Sequence, residues 1–349
     1  MTAQTQADIE AAARLLEAGA LVAFPTETVY GLGADAQNPD AVRAIYRAKQ
    51  RPENHPLIVH LAPEADVAYW SSEVSAAAGK LIAAFWPGPL TLILPRAAHI
   101  PDTVAGGQQS IGLRCPAHPV AQALLRSFQG GSGGIAAPSA NRFGHVSPTT
   151  AAHVREEFDG SPLVRCVLDG GQSMVGIEST ILDLTRGRPV LLRPGHVGSL
   201  QIAEVLGVVP AQPDAAAPRA SGTLASHYAP QTPVAIVDDQ KLAEVLARLG
   251  AGGWRVALMH FMSPAHLRNG SVDAAPVKPV AIAALQAEPV AYGHDLYAAL
   301  RRLDHADADL IIVEALPSSA AWHAVNDRLQ RAAHGSGPIL ERLLATVRG

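Results

Sequence analysis

Apolar residues recur at Ile9, Ala12, Ala13 and Leu16 with Gly19 behind them, a spacing that predicts a helix ended by glycine. Leu21-Val22-Ala23-Phe24 is a short apolar run stopped by Pro25, the pattern of a buried strand. A second helix is predicted from Pro39, capped by Asn38, with Val42, Ile45 and Tyr46 on one face and Arg43 and Arg47 on its flank. Strand-like runs follow at 57–59, 90–94, 111–113, 135–137, 180–182 and 190–192, and Ser147-Pro148 reads as the start of a helix over 149–158. Strands and helices mix here without a regular β-α-β beat, so residues 1–207 are expected to form one mixed α/β domain.

From 208 to 233 the periodicity lapses into prolines and alanines, and this stretch reads as a linker. Beyond it the alternation is cleaner. Strands are expected at 234–237, 256–259 and 310–313, and helices at 240–249, 295–303 and 322–331. Residues 234–349 therefore read as a smaller, Rossmann-like α/β domain.

Composition narrows the classes. The 349 residues carry a net charge of −4, so a bulk basic nucleic-acid module is excluded and any anion must be met by a local cluster. Cys115 and Cys166 are the two cysteines, too few for a disulfide framework or a four-cysteine zinc site. The start of the chain lacks the basic and apolar regions of a secretory signal, and no run reaches the ~18 apolar residues of a membrane span. A soluble, cytoplasmic protein is expected.

Two motifs mislead. Gly31-Leu-Gly33-Ala-Asp-Ala36 imitates a dinucleotide fingerprint, but six residues separate it from the strand before it and the helix begins only at Pro39. Residues 130–134 are glycine-rich but lack the Lys-Ser/Thr ending of a phosphate loop. The segment Pro25-Thr26-Glu27-Thr28-Val29-Tyr30 carries more information, since it sets two hydroxyls and a carboxylate at a strand end, before glycines that could let a backbone approach a ligand. Arg43, Arg47, Lys49 and Arg51 then gather four cations, and Pro52 ends the helix beneath the last two. That placement favours an anion site over a solvated charged face. Arg114, Ser139 with Asn141, Ser179 and Arg193 each fall at a strand end, where α/β sheets assemble binding sites.

Together these residues resemble the threonylcarbamoyl-AMP synthases of the YrdC family. The likeness runs in order through FPTETVYGLG (24–33), Lys49-x-Arg51 with Pro56-Leu57 and His60, WPGPLT (86–91) and GLRCP (112–116). It continues through PSAN (138–141), STILDL (179–184), LRPG (192–195) and SGTLASHYAP (221–230), the last resembling the connector of the family's long, two-domain form. The resemblance implies a YrdC-like catalytic domain with a twisted sheet. It also implies condensation of L-threonine, bicarbonate (or CO2) and ATP to threonylcarbamoyl-AMP with loss of pyrophosphate. Partner proteins would then pass the threonylcarbamoyl group to tRNA. Carried over residue by residue, Thr28, His60, Arg114 and Ser179 look like threonine ligands. Lys49 and Arg51 look like the catalytic pair at the ATP site, with Asn54 or His55, Ser110, Ser139, Asn141, Ser147 and Arg193 around the nucleotide. Tyr228, with His227, would fold the linker over it as a lid. Mg2+ is implied with ATP. The competing reading is an RNA-binding module of the same fold without synthase activity.

Overall fold

The computed structural model describes residues 3–262 and 278–346. The chain forms two compact units, one of Met1–Phe143 and Ser147–Thr223, the other of Gly144–Val146 and Leu224–Gly349.

The first unit is built on nine strands: β1 Leu21–Phe24, β2 Gly31–Asp35, β3 Ile58–Leu61, β4 Leu90–Pro95, β5 Ser110–Arg114, β6 Gly134–Ala136, β7 Val164–Val167, β8 Thr180–Asp183 and β9 Val190–Arg193. They pair in the order β7-β1-β2-β6-β3-β5-β4-β8-β9, with parallel and antiparallel neighbours mixed. The helix Pro39–Lys49 begins as the sequence predicts, with the Asn38 side chain accepting from the backbone N–H of Asp40 and Ala41. The helix after Ser147-Pro148 starts later. Thr150 caps Ala151–Glu157, and Ser147 is committed elsewhere.

Side-chain alternation along the strands separates two faces. One face carries Leu21, Ala23, Val59, Leu61, Leu90, Leu92, Leu94, Ile111, Leu113 and Leu182 in a single apolar cluster. On the other face the apolar cover is in two pieces. Val22, Phe24, Ile135 and Ala137 pack with Ile9, Leu16 and Leu124. Ile58, Ile93, Ile181 and Leu192 pack with Ala220, Ala211 and Ala217. The same alternation puts His60, Thr91, Ser110, Gly112 and Arg114 on this second face. A Cβ added at Gly112 would lie 3.2 Å from Ile93, 3.5 Å from Ile58 and 3.6 Å from Thr91, which fixes the glycine on that side.

Residues 208–233 do not stand apart as one linker. Up to Thr223 they belong to the first unit, where small alanine side chains cover the isoleucines of the sheet, and from Leu224 they belong to the second. Proline content concealed this packing, because prolines break periodicity without preventing burial of the alanines between them.

In the second unit four parallel strands, β10 Val234–Val237, β11 Val256–Met262, β12 Ala281–Gln286 and β13 Leu310–Glu314, lie in the order β10-β13-β11-β12. Leu242, Leu246 and Leu249 from the helix Asp239–Ala251 close one apolar cluster with Ile339, Leu340 and Leu343. Strand β12, the short helix Gly337–Ala345 and the early start of the helix Pro289–Asp304 escape the sequence reading. No helix among the described residues is long and apolar enough to cross a membrane.

Gly31 and Gly33 lie inside β2, and the space beside them is filled by protein. A Cβ on Gly33 would lie 2.8 Å from Ile135 Cγ2 and 2.9 Å from the Phe24 ring, and one on Gly31 3.1 Å from Ala137 Cβ. These glycines therefore admit Phe24 and its neighbours, not a ligand. Overpacking of this kind costs ~1–3 kcal/mol. Gly33→Ala is expected to lower the midpoint of urea denaturation accordingly at unchanged slope, and an unshifted midpoint would contradict the close packing.

Candidate active site

The turn after β1 holds itself in shape. The Thr26 hydroxyl donates to the Val29 carbonyl at 2.6 Å and accepts from the N–H groups of Thr28 and Val29 at 3.2 Å. Its oxygen also lies 2.8 Å from Thr28 Oγ1. Either hydroxyl can donate to the other, and Thr28 is fully buried. Neighbouring loops tie the turn down, with Val175 N donating to the Glu27 carbonyl and Ala140 N to that of Tyr30.

Glu27 and Arg114 form a buried ion pair, Oε1 to Nη2 at 2.7 Å. The other Glu27 oxygen accepts from Ala117 N at 3.0 Å, and Arg114 Nε points at the Gly88 carbonyl at 3.3 Å. His60 sits in register with Arg114 across the parallel β3–β5 pair, its ring edge-on to Phe24 with centroids 6.0 Å apart. Its Nδ1 is buried with no hydrogen-bond partner among the described residues. Burial, reinforced by the Arg114 charge, pushes the His60 imidazole down to about 3, so it is neutral at physiological pH. Ser179, just before β8, lies 2.8 Å from Thr91 Oγ1, and Arg193 donates to both its carbonyl and its hydroxyl oxygen at 2.9 and 3.2 Å.

A second group gathers around the end of the helix Pro39–Lys49. Gln50 turns the chain with a left-handed φ of 53°, carrying it into Arg51. Lys49 is fully buried and donates to the backbone carbonyls of Ser139, at 2.6 Å, and Asn141. Burial, and then the neighbouring Arg51 charge, hold its ammonium well below the usual lysine range. Arg51 donates to the Pro56 carbonyl at 3.0 Å and lies 5.5 Å from the centre of the Phe143 ring, which the half-buried His55 meets edge-on at 5.2 Å. Asn54 is exposed, and its carbonyl accepts from Arg219. Ser110 opens β5 on the same face as Arg114. The buried Ser147 hydroxyl donates to Glu178 at 2.6 Å, which links this region to Ser179 next in sequence.

Tyr228 and His227 belong to the second unit. Tyr228 is buried there at φ 61°, with the Arg328 guanidinium 5.4 Å from its ring centre and Tyr297 at 5.7 Å. Thr91 is not singled out in the sequence, although it lies within the WPGPLT motif, whose alternation with leucines is the available signal. Glu178 reads with Ser179 as a polar group ahead of a strand, and the structure gives it Ser147 as partner.

Buried arginine and lysine, hydroxyls and a neutral histidine thus gather at strand ends and at the end of one helix, groups suited to orienting and neutralising a ligand. The comparisons then name the class. The Sua5–YciO–YrdC family model, described as "Telomere recombination", matches residues 14–195. The model described as "Threonylcarbamoyl-AMP synthase, C-terminal domain" matches residues 197–334. The threonylcarbamoyl-AMP synthase of Pyrococcus abyssi is 38% identical, with 93% of each chain covered, and that of Bacillus subtilis 40% identical, covering 94% of this chain and 93% of the other. The crystal structure of P. abyssi Sua5 complexed with L-threonine superposes with a TM-score of 0.83 at 35% identity, covering 94% of both chains. The chain belongs to the threonylcarbamoyl-AMP synthase family.

His60 yields a test of the electrostatics. Its folded pKa lies below its ordinary 6.5, so between about 3 and 6.5 the unfolded chain binds more protons and stability falls as the pH is lowered through that window. The slope from one such group reaches about 1.4 kcal/mol per pH unit. Acid denaturation of His60→Gln is expected to be shallower than wild type between pH 4 and 6, and identical slopes would show that His60 titrates normally.

Proposed function

We propose that this chain condenses L-threonine, bicarbonate or CO2, and ATP into L-threonylcarbamoyl-AMP with release of pyrophosphate, the activated group then being passed to tRNA by partner proteins. One observation carries the reading: Arg114, buried and held by Glu27 and Gly88, stands in register with the neutral His60 across β3 and β5. An α-carboxylate is the natural partner of such an arginine, and Thr28 and Ser179 supply hydroxyls for the remaining polar groups of threonine. Membership of the synthase family and the threonine complex of the P. abyssi relative support it.

Chemically, the threonine amine adds to CO2 to form a carbamate. A carbamate oxygen then attacks the α-phosphorus of ATP, and pyrophosphate leaves. The protein's contribution is orientation and charge. Arg51, Lys49 and Arg193 meet the triphosphate, and Ser110, Ser139, Asn141 and Ser147 hydrogen-bond the nucleotide, with Asn54 or His55 at its rim. Lys49 acts in part through the loop it fastens, because it already holds the Ser139 and Asn141 carbonyls. A phosphate beside it favours its charged form. Mg2+ enters as the chelate of ATP. Among the described residues no three His, Cys, Asp or Glu side chains gather into a resident metal site.

Pyrophosphate release is expected to require both threonine and bicarbonate. Full release with threonine omitted would mark an ordinary ATPase and reject the assignment. Losing a charge-assisted contact costs ~1.5–3 kcal/mol, roughly ten- to a hundredfold in rate. Lys49→Ala and Arg51→Ala should lose at least that much kcat/KM for ATP, whereas Arg43→Ala, whose partner is the exposed Asp40, should stay near wild type. Equal, small effects at all three positions would return the cluster to a solvated charged face.

A further inference from the structure

Glu27 is given no role in the reaction proposed above, yet its carboxylate is buried against the arginine of that site. It is 5% exposed; Oε1 lies 2.7 Å from Arg114 Nη2 as an ion pair, and Oε2 accepts from Ala117 N at 3.0 Å. Its backbone carbonyl accepts from Val175 N at 2.7 Å, and its neighbours Thr26 and Thr28 are locked by their own hydrogen bonds. The carboxylate therefore stands on a rigid support on two sides.

The orientation of Arg114 follows from this support. A guanidinium offers a side edge, Nε with Nη2, and an end, Nη1 with Nη2. Here the Gly88 carbonyl takes Nε, so the side edge cannot offer both of its donors, and Glu27 lies against Nη2 as an ion pair without a hydrogen bond between the two atoms. What is left for a ligand is the end, which can grip a carboxylate with two parallel hydrogen bonds. Without the Glu27 charge the guanidinium would be buried without a counter-ion, and its plane would be set by one 3.3 Å contact.

We infer that Glu27 is a positioning residue for amino-acid recognition: it fixes Arg114 so that the end of the guanidinium, not its side edge, faces the α-carboxylate of the substrate. The inference rests on the threonine reading of the pocket. Glutamine at this position keeps the shape but has one acceptor oxygen, so it can serve Arg114 or Ala117 N and not both. Aspartate keeps the charge and both acceptors and shortens the reach by one methylene.

Glu27→Gln is expected to raise the KM for threonine about ten- to a hundredfold while the KM for ATP stays within about twofold and kcat at saturating threonine is largely kept. Glu27→Asp should fall between the two, and it serves as the main variant if the glutamine protein does not fold. A loss of kcat with an unchanged threonine KM in the folded variant would mean a merely structural role and overturn the inference. A ligand-free measurement separates this from the function itself. In a double-mutant cycle of Glu27→Gln with Arg114→Met, followed by urea denaturation, the two changes should be strongly non-additive. Additive effects would overturn the pairing, whereas absence of threonine-dependent turnover in wild type would instead reject the function and leave the cycle intact.

Discussion

The structure depends on burying charge around the sheet without leaving that charge uncompensated. Removing one member of a buried ion pair typically costs 3–5 kcal/mol, because the remaining charge has lost both water and partner. The site meets this constraint three times. Glu27 pairs with Arg114, two backbone carbonyls receive Lys49, and Ser179 with the Ser221 carbonyl receives Arg193. Each solution recruits a different loop, so the loops that bind the cations are held in place by them.

Strand alternation supplies the space. Leucines on one side of β4, β5 and β8 make a continuous core, and the residues between them point to the other side. There Phe24 and its neighbours close one end, and the isoleucines beneath Ala220 close the other. Thr91, His60 and Arg114 share the face that carries both clusters. Gly112, without a side chain, leaves room for Ile93 and Ile58 beside them. Apolar clusters on a common sheet keep the polar groups dry enough for their charges to act strongly.

Most of this was legible in the sequence wherever a local rule dictates it. Asn38-Pro39 announced a helix start, and apolar runs announced β1, β4, β5, β8 and β9. Strand β2 was not legible, because GLGAD has neither β-branched residues nor alternation, and its glycines exist to admit the Phe24 ring. Ser147 looked like a helix cap because Ser-Pro often is one; its actual partner, Glu178, lies 31 residues away. The alanines of 208–223 read as filler because their value lies in fitting over isoleucines that only the folded sheet assembles. The motifs located the candidate site residues, but not which oxygen holds which nitrogen. That Lys49 binds carbonyls and Glu27 binds Arg114 are facts of long-range pairing.

The central claim is that the protein prepares a fixed receptor for the threonine carboxylate before the substrate arrives. A crystal structure of the chain with L-threonine and a non-hydrolysable ATP analogue tests this most directly. The account predicts both carboxylate oxygens within hydrogen-bonding distance of the Arg114 guanidinium end, with the Glu27–Arg114 contact unbroken. Threonine bound with its carboxylate elsewhere, or Glu27 displaced from Arg114 when the ligand enters, would contradict it.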